Sequence, residues 1–130
     1  MKYLLDTNTL SFAIRGVGHA GDRLLATDPG DVAISAMTEA ELWNGVRKLG
    51  SASLRRAVEA ILTSMSVLPI TSEVARDYGD LRAWLEKRGR PIGLADTFIA
   101  AHARSMGLTL VTNNTRHFTR VPALNLDDWT

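Results

Sequence analysis

Four short apolar runs, separated by longer stretches of helical pattern, set the narrowest limit on what this chain can fold into. Tyr3-Leu4-Leu5, Val32-Ala33-Ile34, Val67-Leu68-Pro69-Ile70 and Leu108-Thr109-Leu110-Val111 are each the length of a buried strand. Runs of this kind with helices between them predict a parallel sheet covered on both faces. Leu10 to Arg15 and Asp22 to Ala26 read as short helices, Glu39 to Leu49 and Leu54 to Met65 as longer ones. Val74, Tyr78, Leu81 and Leu85 recur at helical spacing, which predicts an amphipathic helix over 73–88. Gly89-Arg90-Pro91 ends it, because Gly suits the C-terminal turn and Pro cannot continue a helix. Ala95 to Met106 predicts a further, largely apolar helix. The expected architecture is α/β, a three-layer sandwich with a short, mainly parallel sheet flanked by helices. A chain of 130 residues suits one domain over 1–130.

Composition narrows the class of function. No run of about 18 apolar residues occurs, so no transmembrane helix is expected. Asp6 cuts the apolar run of MKYLLDTNT, so a secretory leader is not expected either. The chain has no cysteine, which excludes disulfides and thiolate metal sites and makes a cytoplasmic location the expectation. Net charge is only +1, yet charge is unevenly placed. Residues 82–120 carry Arg82, Lys87, Arg88, Arg90, Arg104, Arg116 and Arg120 against Glu86 and Asp96 alone. A basic segment in a near-neutral chain suggests an anionic partner, although a solvated helix face gives the same pattern.

The acids are more specific. Asp6 lies just past the first strand, Thr38 and Glu41 open the helix after the second, and Asp96 opens the helix after "GRPIG". Asn113 and Asn114 follow the fourth strand. In an open parallel sheet ligands bind beyond the carboxyl ends of the strands, where helix N-termini also converge. Each acid has a plainer role open to it. Asp6 suits a helix N-cap, Thr38-x-x-Glu41 matches a capping box, and Asp96 answers a helix dipole. Together those roles explain less. Carboxylates about 5 Å apart repel by roughly 3 kcal/mol per pair at an effective dielectric near 20. Three such pairs would offset much of a typical stability of about 5–15 kcal/mol. Convergence would therefore call for a hard divalent cation with oxygen ligands, suited to phosphodiester hydrolysis.

Other motifs fall away. Gly16-Val17-Gly18-His19-Ala20-Gly21 fits G-x-G-x-x-G, but a helical stretch stands between it and the strand, so it reads as a loop. An aspartyl-phosphate phosphatase would want Asp where Asn8 stands. No G-x-S-x-G elbow or Walker loop occurs. His19, His102 and His117 lack H-x-x-x-H spacing, and His102 lies about 240° round the helix from Asp96. Trp43, Trp84 and Trp129 read as packing residues rather than base-stacking platforms.

The ordered segments "LLDTNTLSFAIRG", "ISAMTEAELWNGVRKL" and "RGRPIGLADTFIAAHARSMGLTLVTNNTRHFTRVPALNLDDW" resemble the PIN-domain ribonucleases, specifically the VapC toxins of bacterial toxin–antitoxin modules. The likeness spans nearly the whole chain and is weakest over 50–66. It implies a metal-dependent endoribonuclease with Mg2+, or Mn2+, held by Asp6 and Asp96. Glu41 matches the glutamate of the family's E-L-x-x-G helix, with Gly45 in place. The last acidic position falls at Asn114 or His117, a departure that leaves a one-metal site or a second ion recruited with the substrate. Asn114 is carried as a catalytic candidate beside Asp6, Glu41 and Asp96. Thr7, Asn8, Thr112 and Asn113 would orient the ligands or hold water, and Arg88, Arg90 and Arg116 would hold the RNA backbone. The resemblance also implies a VapB-like antitoxin, a homodimer, no membrane partner, and structured RNA as substrate, tRNA foremost and its anticodon region in particular. A non-catalytic PIN-like RNA- or protein-binding module is the alternative, and a metal-dependent DNase a second.

Overall fold

A computed structural model describes residues 1–130. The chain runs β1 (Tyr3–Leu5), α1 (Thr7–Arg15), α2 (Ala20–Ala26), β2 (Val32–Ser35), α3 (Ala36–Leu49), α4 (Ala52–Ser64) and β3 (Ser66–Leu68). It continues with α5 (Ser72–Lys87), α6 (Leu94–Ser105), β4 (Thr109–Val111), α7 (Thr115–Phe118) and β5 (Leu126–Asp127). Every strand pair is parallel, in the order β3-β2-β1-β4-β5. Register sets Leu4 beside Leu110 and Leu5 beside Val111.

Alternation along these strands divides the core between two faces. Leu4, Ala33 and Leu110 pack with Leu81, Leu85, Ile99 and Phe118 on one side. Leu5, Val32, Ile34 and Val111 pack with Leu10, Leu42, Val46, Val58 and Trp129 on the other. The three-layer parallel sandwich expected from the strand–helix alternation is the one observed. The helix α6 reads as largely apolar because Ile99, Ala100, Ala101, His102 and Ala103 are all buried.

Several expected boundaries move: α1, α2, α3 and α4 each begin two or three residues earlier than their helical pattern indicates. The third strand stops at Leu68 rather than Ile70, since Pro69 has no N–H to give a ladder. The two-residue strand β5 and the one-turn helix α7 carry no periodicity long enough to be read in advance. Of the glycine-rich stretch read as a loop, Gly16 to His19 connect two helices, with Gly16 closing α1 in the left-handed region (φ 69°), whereas Ala20 and Gly21 already belong to α2.

The α5–α6 pair is clamped by Arg104, which donates from Nε and Nη2 to the two Asp77 oxygens at 3.1 and 2.8 Å. Tyr78 stacks on Phe98 with ring centroids 3.8 Å apart. Gly79, in the interior of α5, has open space where a Cβ would stand. Gly79→Ala is therefore expected to stabilise the chain by about 0.5–1 kcal/mol, through lower backbone entropy in the unfolded state. Urea denaturation with an unchanged m-value would register it as a raised midpoint.

Candidate functional site

Asp6 is both cap and acid. It follows β1 in extended conformation, and its Oδ1 accepts the Thr9 N–H at 2.8 Å, so it starts α1. Its own N–H donates to the Val111 carbonyl of β4 at 3.0 Å. Only 5% of the residue is exposed. Burial pushes its carboxyl above the ordinary 3.8, and hydrogen bonds from Thr112 and Thr9 pull it partly back. The capping bond uses one lone pair and leaves others on the carboxylate for a cation.

Glu41 arrives differently from the sequence reading. The expected Thr38–Glu41 capping box does not form, because α3 begins earlier than its apolar pattern indicates. Ser35, the last residue of β2, caps it by accepting the Met37 N–H at 3.1 Å. Thr38 and Glu41 therefore lie inside the helix, three apart and on one face. That face meets α1, where the Thr7 hydroxyl donates to Glu41 Oε1 and lies 3.5 Å from the Thr38 hydroxyl.

Asp96 stands in the first turn of α6, where the helix N-terminus favours an anion. Burial raises its carboxyl above the usual range; the neighbouring His117 lowers it, and the charges of Asp6 and Glu41 raise it again. Asp96 thus feels the charges of both other acids. The three come from the carboxyl ends of β1 and β2 and from the N-terminus of α6. The centre of the strand order, where β1 meets β4, is the switch point at which doubly wound sheets bind ligands.

The donor set fits a hard cation. Three carboxylates supply oxygen ligands of the kind Mg2+ and Mn2+ prefer, with no thiolate competing. No group of three or more acidic or histidine side chains is arranged to hold a metal ion.

The remaining candidates separate by position. Thr7 orients Glu41, and the buried Thr112 bonds Asp6 while its Oγ1 accepts the Asn114 N–H at 3.0 Å. Asn8, Asn113 and Asn114 are exposed. Asn114 starts α7 through its carbonyl, which accepts from His117 and Phe118, and its side chain makes no capping bond. Arg88, Arg90 and Arg116 are all exposed. Arg88 and Arg90 lie on the connection leading into the helix of Asp96, and the Arg88 guanidinium sits 3.6 Å from the Trp84 ring centroid.

Two histidines matter more than their sequence spacing indicates. His117 places Nε2 3.2 Å from Asp96 Oδ2 and 2.9 Å from the Ile92 carbonyl. His102 points away from the acids, as its angle round the helix predicts. It is fully buried, with Nδ1 2.8 Å from the Ser35 hydroxyl, and burial lowers its pKa. It thus ties the helix bearing Asp96 to the cap of the helix bearing Glu41. The sole advance signal for His117 was that it stands at a position where a PIN-like chain carries an acid.

The PIN domain family matches residues 3–124. The chain is 38% identical to the tRNA(fMet)-specific endonuclease VapC of Shigella flexneri, over 99% of this chain and 98% of that protein. It is 35% identical to the protein of the same name from Salmonella typhimurium, over the same shares. Among solved structures it is similar to VapBC2 from Rickettsia felis bound to a promoter DNA fragment, at 33% identity, TM-score 0.89 and full coverage of both chains. DNA-bound VapBC from Salmonella typhimurium aligns at 36% identity and TM-score 0.90, over 100% of this chain and 99% of that one.

Proposed function

Since the chain belongs to the PIN-domain family, among the VapC ribonucleases of toxin–antitoxin modules, we propose that it is a divalent-metal-dependent endoribonuclease that cuts tRNA. It is a nuclease whose partner is a VapB-like antitoxin. The observation that carries the metal-dependent reading is the position of Asp6 at the end of β1 and of Asp96 in the first turn of α6, at the sheet's switch point.

Asp6 and Asp96 would hold the ion, Mg2+ or Mn2+. When bound, it polarises a phosphoryl oxygen and lowers the pKa of a bound water towards neutrality. Asp6 is fixed by the Thr9 amide, and Asp96 lies against His117 Nε2 at 3.2 Å. Glu41, aimed by the Thr7 hydroxyl, orients the attacking water and accepts its proton on a carboxylate oxygen. Arg88, Arg90 and Arg116 hold the RNA backbone by charge, and Asn114, exposed beside α7, contacts the substrate at the site's rim. No helix is long and apolar enough to cross a membrane.

The test is incubation of the purified chain with total tRNA and with single-stranded DNA, in Mg2+ or EDTA, beside Asp96→Asn. tRNA(fMet), named for two relatives, is the first species to follow. Discrete tRNA fragments that require both the metal and Asp96 are expected. A folded chain that cleaves no RNA would instead be a binding module, and one that prefers DNA a DNase.

A further inference from the structure

Resting on that reading of the acid cluster, we propose that His117 is a positioning residue which orients Asp96 for a single resident divalent ion and keeps a second one out. The geometry decides what its Nε2 can be. One neighbour, the Ile92 carbonyl at 2.9 Å, can only accept a hydrogen bond, so Nε2 must carry a hydrogen whatever the charge on the ring. The same nitrogen lies 3.2 Å from Asp96 Oδ2, to the side of its hydrogen bond with Ile92. A nitrogen so engaged has no lone pair to give a metal or to take a proton. It sets the edge of the ring against one carboxylate oxygen of Asp96 and so limits how that side chain can turn.

Three further contacts hold the donor in place. The His117 ring stands edge-on to Phe118, with centroids 5.5 Å apart and planes at 86°, and Phe118 is buried in the core. The Asn114 carbonyl accepts the His117 N–H at 3.1 Å, which winds α7. Arg120, just beyond α7, reaches the Pro91 carbonyl at 3.5 Å. Two side chains from the α7 segment therefore grip consecutive carbonyls immediately before α6, the helix whose first turn carries Asp96.

Ion number follows from the chemistry of that contact. Three carboxylates and one dication leave a single negative charge, too little ligand for two hard cations, which prefer oxygen donors. An acid at position 117 would offer a fourth carboxylate. His117 offers no anionic oxygen, and its Nε2, committed to the Ile92 carbonyl, has no lone pair for a second cation.

Mn2+ binding to the purified full chain, by calorimetry and by paramagnetic resonance of the free ion, tests this without reference to cleavage. Wild type is expected to bind one Mn2+ per chain, and Asp96→Asn to lose it. His117→Ala should weaken binding about 10-fold, in line with the 10–100-fold effects of outer hydrogen-bond partners. His117→Gln, whose amide N–H reaches a similar distance, should recover most of the affinity, and His117→Glu should add a second binding event. Melting in EDTA establishes that each variant is folded. Two ions on wild type, or His117→Ala binding as wild type does, overturns the assignment of His117 while leaving the acid site standing. A folded wild type that binds no Mn2+, or Asp96→Asn that still binds it, overturns the reading of the acid site itself.

Discussion

Asp6→Asn is expected to lower RNA cleavage by at least about 100-fold and yet make the ion-free chain more stable. The loss follows from removing a charged ligand from an ion that supplies several kcal/mol of transition-state stabilisation, at about 1.4 kcal/mol per tenfold in rate. The gain follows from burial. Asp6 is 5% exposed, and removal from water pushes its carboxyl above 3.8, which means that the fold disfavours its charged form. Asn keeps the oxygen that accepts the Thr9 N–H and is as good an N-cap as Asp. It removes the buried charge without disturbing the start of α1. In EDTA at neutral pH, Asp6→Asn should melt about 2–5 °C above wild type, the shift expected for roughly 1 kcal/mol in a chain of this size.

The pH dependence carries a definite sign. A carboxyl whose folded pKa is raised contributes stability that is complete below its unfolded value and lost as pH rises through the folded one. The advantage of Asp6→Asn in EDTA should therefore be full at pH 7, shrink as pH falls through the raised value at which folded Asp6 takes up its proton, and be gone below the ordinary carboxyl value. Asp96, raised first by its own burial, changes in the same direction. Mg2+ should reverse the order by raising the melting point of wild type and leaving Asp6→Asn unmoved. Melting curves over pH, with and without Mg2+, check all of this. An Asp6→Asn variant less stable than wild type in EDTA would mean that the acid is held for structure rather than for an ion.

The largest stability effect is expected one residue from the C-terminus. Trp129→Ala should cost about 3–5 kcal/mol, the usual loss for truncating a buried large aromatic. Trp129 is 2% exposed and packs with Leu5, Leu10 and Val111. Its ring meets Tyr3 edge-on at 5.2 Å, lies 5.2 Å from the Arg23 guanidinium, and donates from Nε1 to Asp127 Oδ2 at 3.2 Å. The loss would spread to the site by a short route. Asp127, in β5, accepts the Thr112 N–H at 2.9 Å, and Thr112 bonds Asp6. Urea titration should show the midpoint falling equally in Mg2+ and in EDTA, because the lost packing is independent of the ion. Trp129→Phe, which keeps much of the buried area, should recover most of the difference. A Trp129→Ala variant with wild-type stability would mean that β5 and the tail do not hold the sheet edge.

Trp129 also shows where a sequence reading stops. Its burial was foreseeable from its type, but β5 is two residues long and Leu126-Asp127 has no alternation to read. The capping box at Thr38 and Glu41 failed for a different reason. The helical pattern starts at Glu39, while Ser35, the last residue of β2, holds the cap. One failure reflects an element too short to carry a pattern, the other a residue, Ser35, that ends a strand and caps a helix.

What the sequence determined by itself was whatever is encoded within a few residues. Apolar runs bounded by helical periodicity require parallel strands covered on both sides. An acid directly after a strand, followed by Thr9, is held by its own cap, so Asp6 was placed before any contact was known. What only the tertiary structure decided were pairings between distant segments. The strand order β3-β2-β1-β4-β5 brings β4 beside β1, and Thr112 beside Asp6. Thr7 finds Glu41 across 34 residues, and Ser35 finds His102 across 67. His117 reaches Asp96 because one turn of helix and two backbone carbonyls bring them together. Local propensity is silent on such contacts, because their energy exists only once the sheet has closed the distance between them.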